Sequence, residues 1–291
     1  MQENNQNVNY HQQQLMMIMQ EKSRRSSKQF VYLIAGVVFF LIVAYSFLTI
    51  VFPKIAIRFI SVESEINMGN QFFNGMREEI KIDQNASNIL QHFADQLHLS
   101  NQYPIKVSVA VSDDVNAFAL PGGHVIVNSD ILKELKKPEE LVALLCHEST
   151  HINRRHSLQN ILSQVGAGFI INIFTNGGGG AAKVLVGNAN YLVQMNYSRK
   201  LEMQADLEGM RLMERNEIDP KGMMQLMQTL KEVNDDSEMK HLSFLSSHPL
   251  TDDRIKDANT YIHSHHFTEQ TMNETLVEYW KQIKFIEKGD D

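Results

Sequence analysis

The chain has 291 residues, of which 43% are hydrophobic and 21% charged, with a formal net charge of -7, the makeup of an ordered globular protein with one sizeable core and appendages. No basic tract longer than a few residues interleaves with aromatics, which excludes a nucleic-acid surface. Cys146 is the only cysteine, so neither an intrachain disulfide nor a cysteine-rich zinc knuckle can form.

Residues 1–29 are rich in Gln and Asn and predict a disordered polar amino-terminal segment. Phe30 to Phe52 then runs without a charged residue, and at about 1.5 Å per residue a helix of that length crosses a hydrocarbon core of roughly 30 Å. We read residues 30–52 as a single transmembrane anchor rather than a cleaved signal peptide, because no small-x-small cleavage site follows the run. Lys22, Arg24, Arg25 and Lys28 precede the span while only Lys54 and Arg58 follow closely. That bias predicts a cytoplasmic amino terminus and a catalytic region that is periplasmic or otherwise extracytoplasmic.

Residues 53–84 form a juxtamembrane helical segment with helical spacing from Ile66 to Glu79, and a second helix is expected over Ala86 to Leu97. Ile105, Val107, Val109 and Val111 alternate as in a half-buried strand, and His124 to Val127 is a second β-rich run after a turn at Pro121-Gly122-Gly123. Pro138, Glu139 and Glu140 suit the first turn of a helix that carries Leu141 to Leu145 onward. The apolar run Ile161 to Phe174 reads equally as a lid, a membrane-touching segment or a packed helix. Gly177 to Gly180 form a joint, and a helical pattern resumes from Val184 to Arg215. Leu276, Tyr279, Trp280, Ile283 and Ile286 predict an amphipathic helix within residues 263–291, leaving 85–262 as the principal domain.

His147-Glu148-Ser149-Thr150-His151 matches the H-E-x-x-H pattern, which on a helix sets two imidazoles one turn apart on one face, able to share a zinc ion. Glu148 projects beside them, where a carboxylate can serve as the general base. The best downstream third ligand is Glu202, and Asp206, one turn later, is placed to accept the second ring N–H of a ligating histidine. His263, His265 and His266 read as a solvated loop rather than a second metal site. Cys146 reads as a core residue, and Arg154, Arg155 and His156 as a cationic helix end.

With these motifs in hand the chain resembles the membrane-associated zinc metallopeptidases that include HtpX, BepA and the CAAX prenyl proteases, over roughly Ala86 to Ala258. The resemblance rests on Asn116 to Gly123, His147 to His151, Glu202 to Asp206, and His248-Pro249 with Arg254, in that order. In wording the BepA-like members are nearest, although this chain lacks their carboxyl-terminal helical repeats. The resemblance implies an α+β, mainly α-helical zincin-type domain with a small β-sheet, one zinc ion per chain, and endopeptidase action on proteins near the membrane in protein quality control. It further implies that Asn116, Ala117 and Phe118 bind the substrate backbone. By the same resemblance His248 and Arg254 stabilise the oxyanion, or His248 at rest occupies the zinc's open position. Two alternatives stay open: a catalytically silent, zinc-stabilised scaffold or chaperone-like membrane protein, and a zinc hydrolase of a non-peptide substrate. The sequence leaves the oligomeric state open.

Overall fold

The computed structural model describes residues 2–163, 196–236, 242–265, 267 and 272–289, which divide into two compact units, Met1–Phe52 and Pro53–Asp291. In the first, helix α1 runs unbroken over Gln2–Ser46, followed by a π-helical turn at Phe47–Val51. The disordered segment expected over 1–29 is therefore helical where described. Gln is a good helix former, Gly36 is the first glycine of the chain, and an apolar helix already formed downstream removes the cost of nucleation. Among the described residues Lys28–Ser46 is the one helix long and apolar enough to cross a membrane, and none of its residues is buried.

The second unit carries a four-stranded sheet of order β1-β2-β4-β3, with β1 at Ile82–Asp83, β2 at Lys106–Ala110, β3 at Ala117–Ala119 and β4 at His124–Asn128. β2 and β4 pair in parallel, Val107 beside Val125, while β1 and β3 pair antiparallel on the two flanks. β3 is thus an edge strand, joined to β4 by the expected Pro121–Gly123 turn, where Gly122 adopts φ 77°. Any Cβ at Gly122 would lie 2.5 Å from the Glu65 carbonyl oxygen, so helix α3 (Val62–Met76) rests directly on that turn.

Short α2 (Phe52–Ala56) precedes α3, and α4 (Gln84–Ala94) is capped by Asp83, whose Oδ1 accepts from the Ala86 N–H at 2.9 Å. After α5 (Ser129–Glu134), α6 (Pro138–Asn153) begins at Pro138 with Glu139 and Glu140 in its first turn, as the sequence predicts. A helical stretch at 156–163 follows it, and then α7 (Arg199–Arg215) and α8 (Lys221–Asp236) both pack against α6. Of the helical pattern read from Val184 to Arg215, Arg199–Arg215 is helix and 196–198 is not, while 184–195 lies outside the described residues. So do Gly177 to Gly180 and most of the Ile161–Phe174 run, of which Ile161 and Leu162 are core.

Helix α9 (Asp252–Ser264), capped by Thr251, and α10 (Glu274–Gly289) complete the unit. Met223, Leu226, Met227 and Leu230 of α8 join Leu276, Trp280 and Ile283 of α10 in one core with Leu90 and Phe93 of α4 and Leu141 to Leu145 of α6. The flanking helices α3 and α10 therefore belong to the same compact unit as the motifs. His263 lies in the last turn of α9 and His265 caps it, a helix terminus where the sequence suggested a loop, while His266 is outside the described residues.

Candidate metal centre

Helices α6 and α7 cross at Gly209, where a Cβ would meet the flexible Met223 Cε at 3.0 Å and the His147 backbone nitrogen at 3.4 Å. The crossing brings Glu202 against the two motif histidines. His147 Nε2 lies 3.1 Å from His151 Nε2 and 3.6 Å from Glu202 Oε2, and His151 Nε2 lies 3.5 Å from Glu202 Oε1. His248, the residue after the short helical turn Phe244–Ser247, brings its Nδ1 to 3.3 Å from His147 Nε2 and 3.1 Å from Glu202 Oε1. All four side chains are buried, and their candidate ligand atoms lie within 4.8 Å of one another.

These separations test the fit of zinc. Ligands held at 2.0–2.1 Å in a tetrahedron stand about 3.3 Å apart, and the observed range matches. His147 Nδ1 faces Asp206 Oδ1 at 3.1 Å, so the proton of the neutral ring belongs there, and Nε2 presents its lone pair towards His151, His248 and Glu202. The donor set of two imidazoles and a carboxylate suits zinc.

Around this group the charges are arranged in pairs. Arg254 donates to both oxygens of Asp206, from Nε at 2.6 Å and from Nη2 at 2.7 Å, and its Nη1 lies 2.9 Å from Glu202 Oε2. The same Nη1 also reaches the carbonyls of His248 and Pro249. The guanidinium is thus engaged by the candidate third ligand, by the partner of His147 and by the His248 loop. Burial opposes charge on Asp206 and Glu202, but Arg254 and His147, joined at Glu202 by His248, outweigh it and hold both carboxyls below their ordinary range. Glu148 is the opposite case. Wholly buried, with neither oxygen partnered among the described residues, its carboxyl is pushed up to about 8 by desolvation.

Of the predicted substrate residues, Asn116 immediately precedes edge strand β3 and the other two lie in it, and β3 contacts α6. Asn116 is fully buried, and both its amide atoms lack a partner among the described residues. Ala117 and Phe118 sit in β3, but its neighbours already engage that edge: Ser157 Oγ donates to the Ala119 carbonyl at 2.8 Å, and the Phe244 N–H to that of Val115 at 3.1 Å. The three residues read as a cationic helix end prove to have separate duties. Arg154 pairs with Glu208; Arg155, at φ 58°, donates to the carbonyls of Ile57 and Ile60 and to Glu65; His156 is buried against His151. Sequence reasoning also missed Tyr197, whose ring stands 4.0 Å from that of His151 and whose hydroxyl meets Ser157 Oγ at 2.9 Å. No local pattern marks it, because its neighbours come from residues 40 or more positions away. Cys146 is buried beside the motif as a core residue.

A buried H-E-x-x-H helix completed by a carboxylate from a crossing helix is the ligand arrangement of a zincin-type domain. The chain belongs to peptidase family M48, whose model matches residues 81–262. It is similar to the beta-barrel assembly-enhancing protease of Yersinia pestis, with 26% identity over 220 residues, which is 68% of this chain and 44% of that protein. Against the mitochondrial metalloendopeptidase OMA1 of Schizosaccharomyces pombe the identity is 28% over 169 residues, 58% of this chain and 50% of the relative. Against the metalloprotease LoiP of Escherichia coli it is 25% over 160 residues, 54% and 62%. The chain spans about half the length of the first two.

Proposed function

We propose that this protein is a membrane-anchored, zinc-dependent endopeptidase that cleaves protein chains at or near the membrane. The observation that carries the reading is the convergence of His147, His151 and Glu202 beside a buried, unpartnered Glu148. One zinc per chain would be held by those three residues, and when bound it supplies Lewis acidity that polarises the scissile carbonyl and acidifies water. Glu148 takes the proton from the attacking water and returns it to the leaving amide nitrogen, a task suited to a buried carboxyl with no competing hydrogen bond. The unmet amide of Asn116 is suited to a peptide backbone, and Ala117 and Phe118 offer an edge to which an extended chain can add once Ser157 and Phe244 release it. Asp206 and Arg254 are positioning residues, the first for His147 and the second for Glu202. A silent scaffold would have no use for Glu148, whose burial without a partner is costly.

Glu148→Gln tests the reading: zinc content stays near one per chain while cleavage of casein falls by about 10²–10⁴-fold. Loss of zinc in that variant, or retained cleavage, refutes the assignment. His147→Ala and Glu202→Ala lose both metal and activity.

His248 we assign to restraint. Its Nδ1 joins the ligand group and its Nε2 lies 3.7 Å from Glu148 Oε1, which supports a resting position between the base and the other ligands. His248→Ala then raises basal cleavage of an unfolded protein several-fold. A drop of about 100-fold with zinc retained would instead make it an oxyanion donor.

Lys28–Ser46 supports anchorage, and the basic residues before it support a cytoplasmic amino terminus with the peptidase domain on the other side. Protein quality control is the role we assign, in line with relatives whose names include an assembly-enhancing protease.

A further inference from the structure

The two motif histidines are supported differently. His147 gives its Nδ1 proton to the Asp206 carboxylate, whereas His151 Nδ1 lies 3.2 Å from the Nδ1 of another imidazole, His156, which is buried. Ligation decides who donates. His151 turns Nε2 to His147 and Glu202, so that nitrogen must present its lone pair to a metal and the proton of the neutral ring must sit on Nδ1. His156 Nδ1 therefore accepts, which leaves the His156 proton on Nε2. Gln204 hydrogen-bonds His156, and because the His156 proton sits on Nε2 the Gln204 carbonyl oxygen accepts it, while the Gln204 amide nitrogen donates to Glu208 Oε1 at 2.9 Å. Glu208, partly exposed, also accepts from Arg154 Nε.

We propose that His156 is a positioning residue for the metal ligand His151, and that the row His151, His156, Gln204, Glu208 fixes the Nδ1-protonated ring and carries the influence of a surface carboxylate to the metal. Hydrogen bonds in such a row polarise one another, so a neutral imidazole with a carboxylate at the far end partly reproduces what Asp206 gives His147 directly. All four side chains come from α6, the turn after it, and α7, so the row also ties together the two helices that supply the ligands. The inference rests on the zinc-peptidase reading above.

The test is zinc affinity of the full chain in detergent, measured by competition with a chromogenic chelator, with the thermal unfolding midpoint as a check on folding. His156→Phe fills the space without an acceptor and weakens zinc binding by about 10–100-fold. His156→Gln restores an acceptor for the His151 N–H and stays within about threefold of wild type. Wild-type affinity in His156→Phe overturns the inference, as does an equal loss in both variants, which would make packing the cause. Should His156→Phe fail to fold, Glu208→Gln decides: zinc binding a few-fold weaker supports the row, and unchanged binding overturns it. A wild-type chain that binds no zinc fails the peptidase reading itself, a different result from any of these.

Discussion

Helices α1 and α6 break the ordinary rule of polar outside and apolar inside in opposite directions. From Phe30 to Val43, α1 leaves every residue exposed, including Val38, Phe39 and Phe40, whereas α6 buries Glu140, His147, Glu148, Ser149, Thr150 and His151. Water would penalise both arrangements. A hydrocarbon phase around α1 and a metal cation within the α6 cluster would make each favourable. The comparison teaches that the apolar inversion is legible in average hydropathy, whereas the polar one shows only once the burial of each side chain is known.

The largest effect should come from removing the charge that balances the buried side. Arg254→Met leaves Asp206 and Glu202 buried without their cation, a cost of about 3–5 kcal/mol. Chemical unfolding of the detergent-solubilised chain should register that loss together with weakened zinc binding. A variant as stable as wild type would mean that the ligand helices do not need Arg254.

The second break is in the opposite sense, placing a charge on the apolar side. Val38→Arg puts a guanidinium near the middle of Lys28–Ser46, at a cost of about 3 kcal/mol for a membrane-spanning helix. The expected outcome is a shift from the membrane to the soluble fraction with zinc binding in the peptidase unit retained. Unaltered membrane retention would remove the lipid explanation for the exposed apolar face.

The ligand set and its helix were legible because the chemistry demands residues at fixed helical spacing, four positions for His147 and His151 and four for Glu202 and Asp206. β2, β4 and the turn at Pro121 were legible for the same reason, through alternation and glycine. The bonds of Arg254, the neighbours of Tyr197 and the partner of His156 were not, since they join elements distant in sequence and any surface charge or ring reads the same. Helix α8 is a different miss: Met223, Leu226, Met227 and Leu230 carry an apolar stripe in plain view, while β1 at two residues is too short to leave a pattern. The polar stretch before Lys28 carries no apolar periodicity from which a helix could be read, because α1 is helical although none of its described side chains is buried.

The smallest effect concerns a buried histidine outside the candidate ligand group. His124 is buried where β4 meets α3, with Nε2 2.9 Å from Asn70 Oδ1 and its ring stacked 4.6 Å from that of Phe73. Burial, aided by the charge of Lys106, lowers its pKa to about 4 from an ordinary 6.5, so the folded chain keeps the ring neutral. The sign follows from which state takes the proton first. Between pH 6.5 and about 4 the unfolded chain is protonated at this site and the folded chain is not, so stability is complete above 6.5 and falls as the pH drops through that window. The shift corresponds to at most about 2–3 kcal/mol. His124→Phe keeps the stacking on Phe73, and Lys106 Nζ, 3.2 Å from Asn70 Oδ1, still satisfies that oxygen. Subtracting the variant's unfolding free energy from that of wild type at each pH cancels the other titrating groups. The difference should be flat above pH 6.5 and move against wild type below it. Parallel curves down to pH 4 would show that His124 titrates normally in the folded chain, and that the contact between α3 and the sheet is open to water.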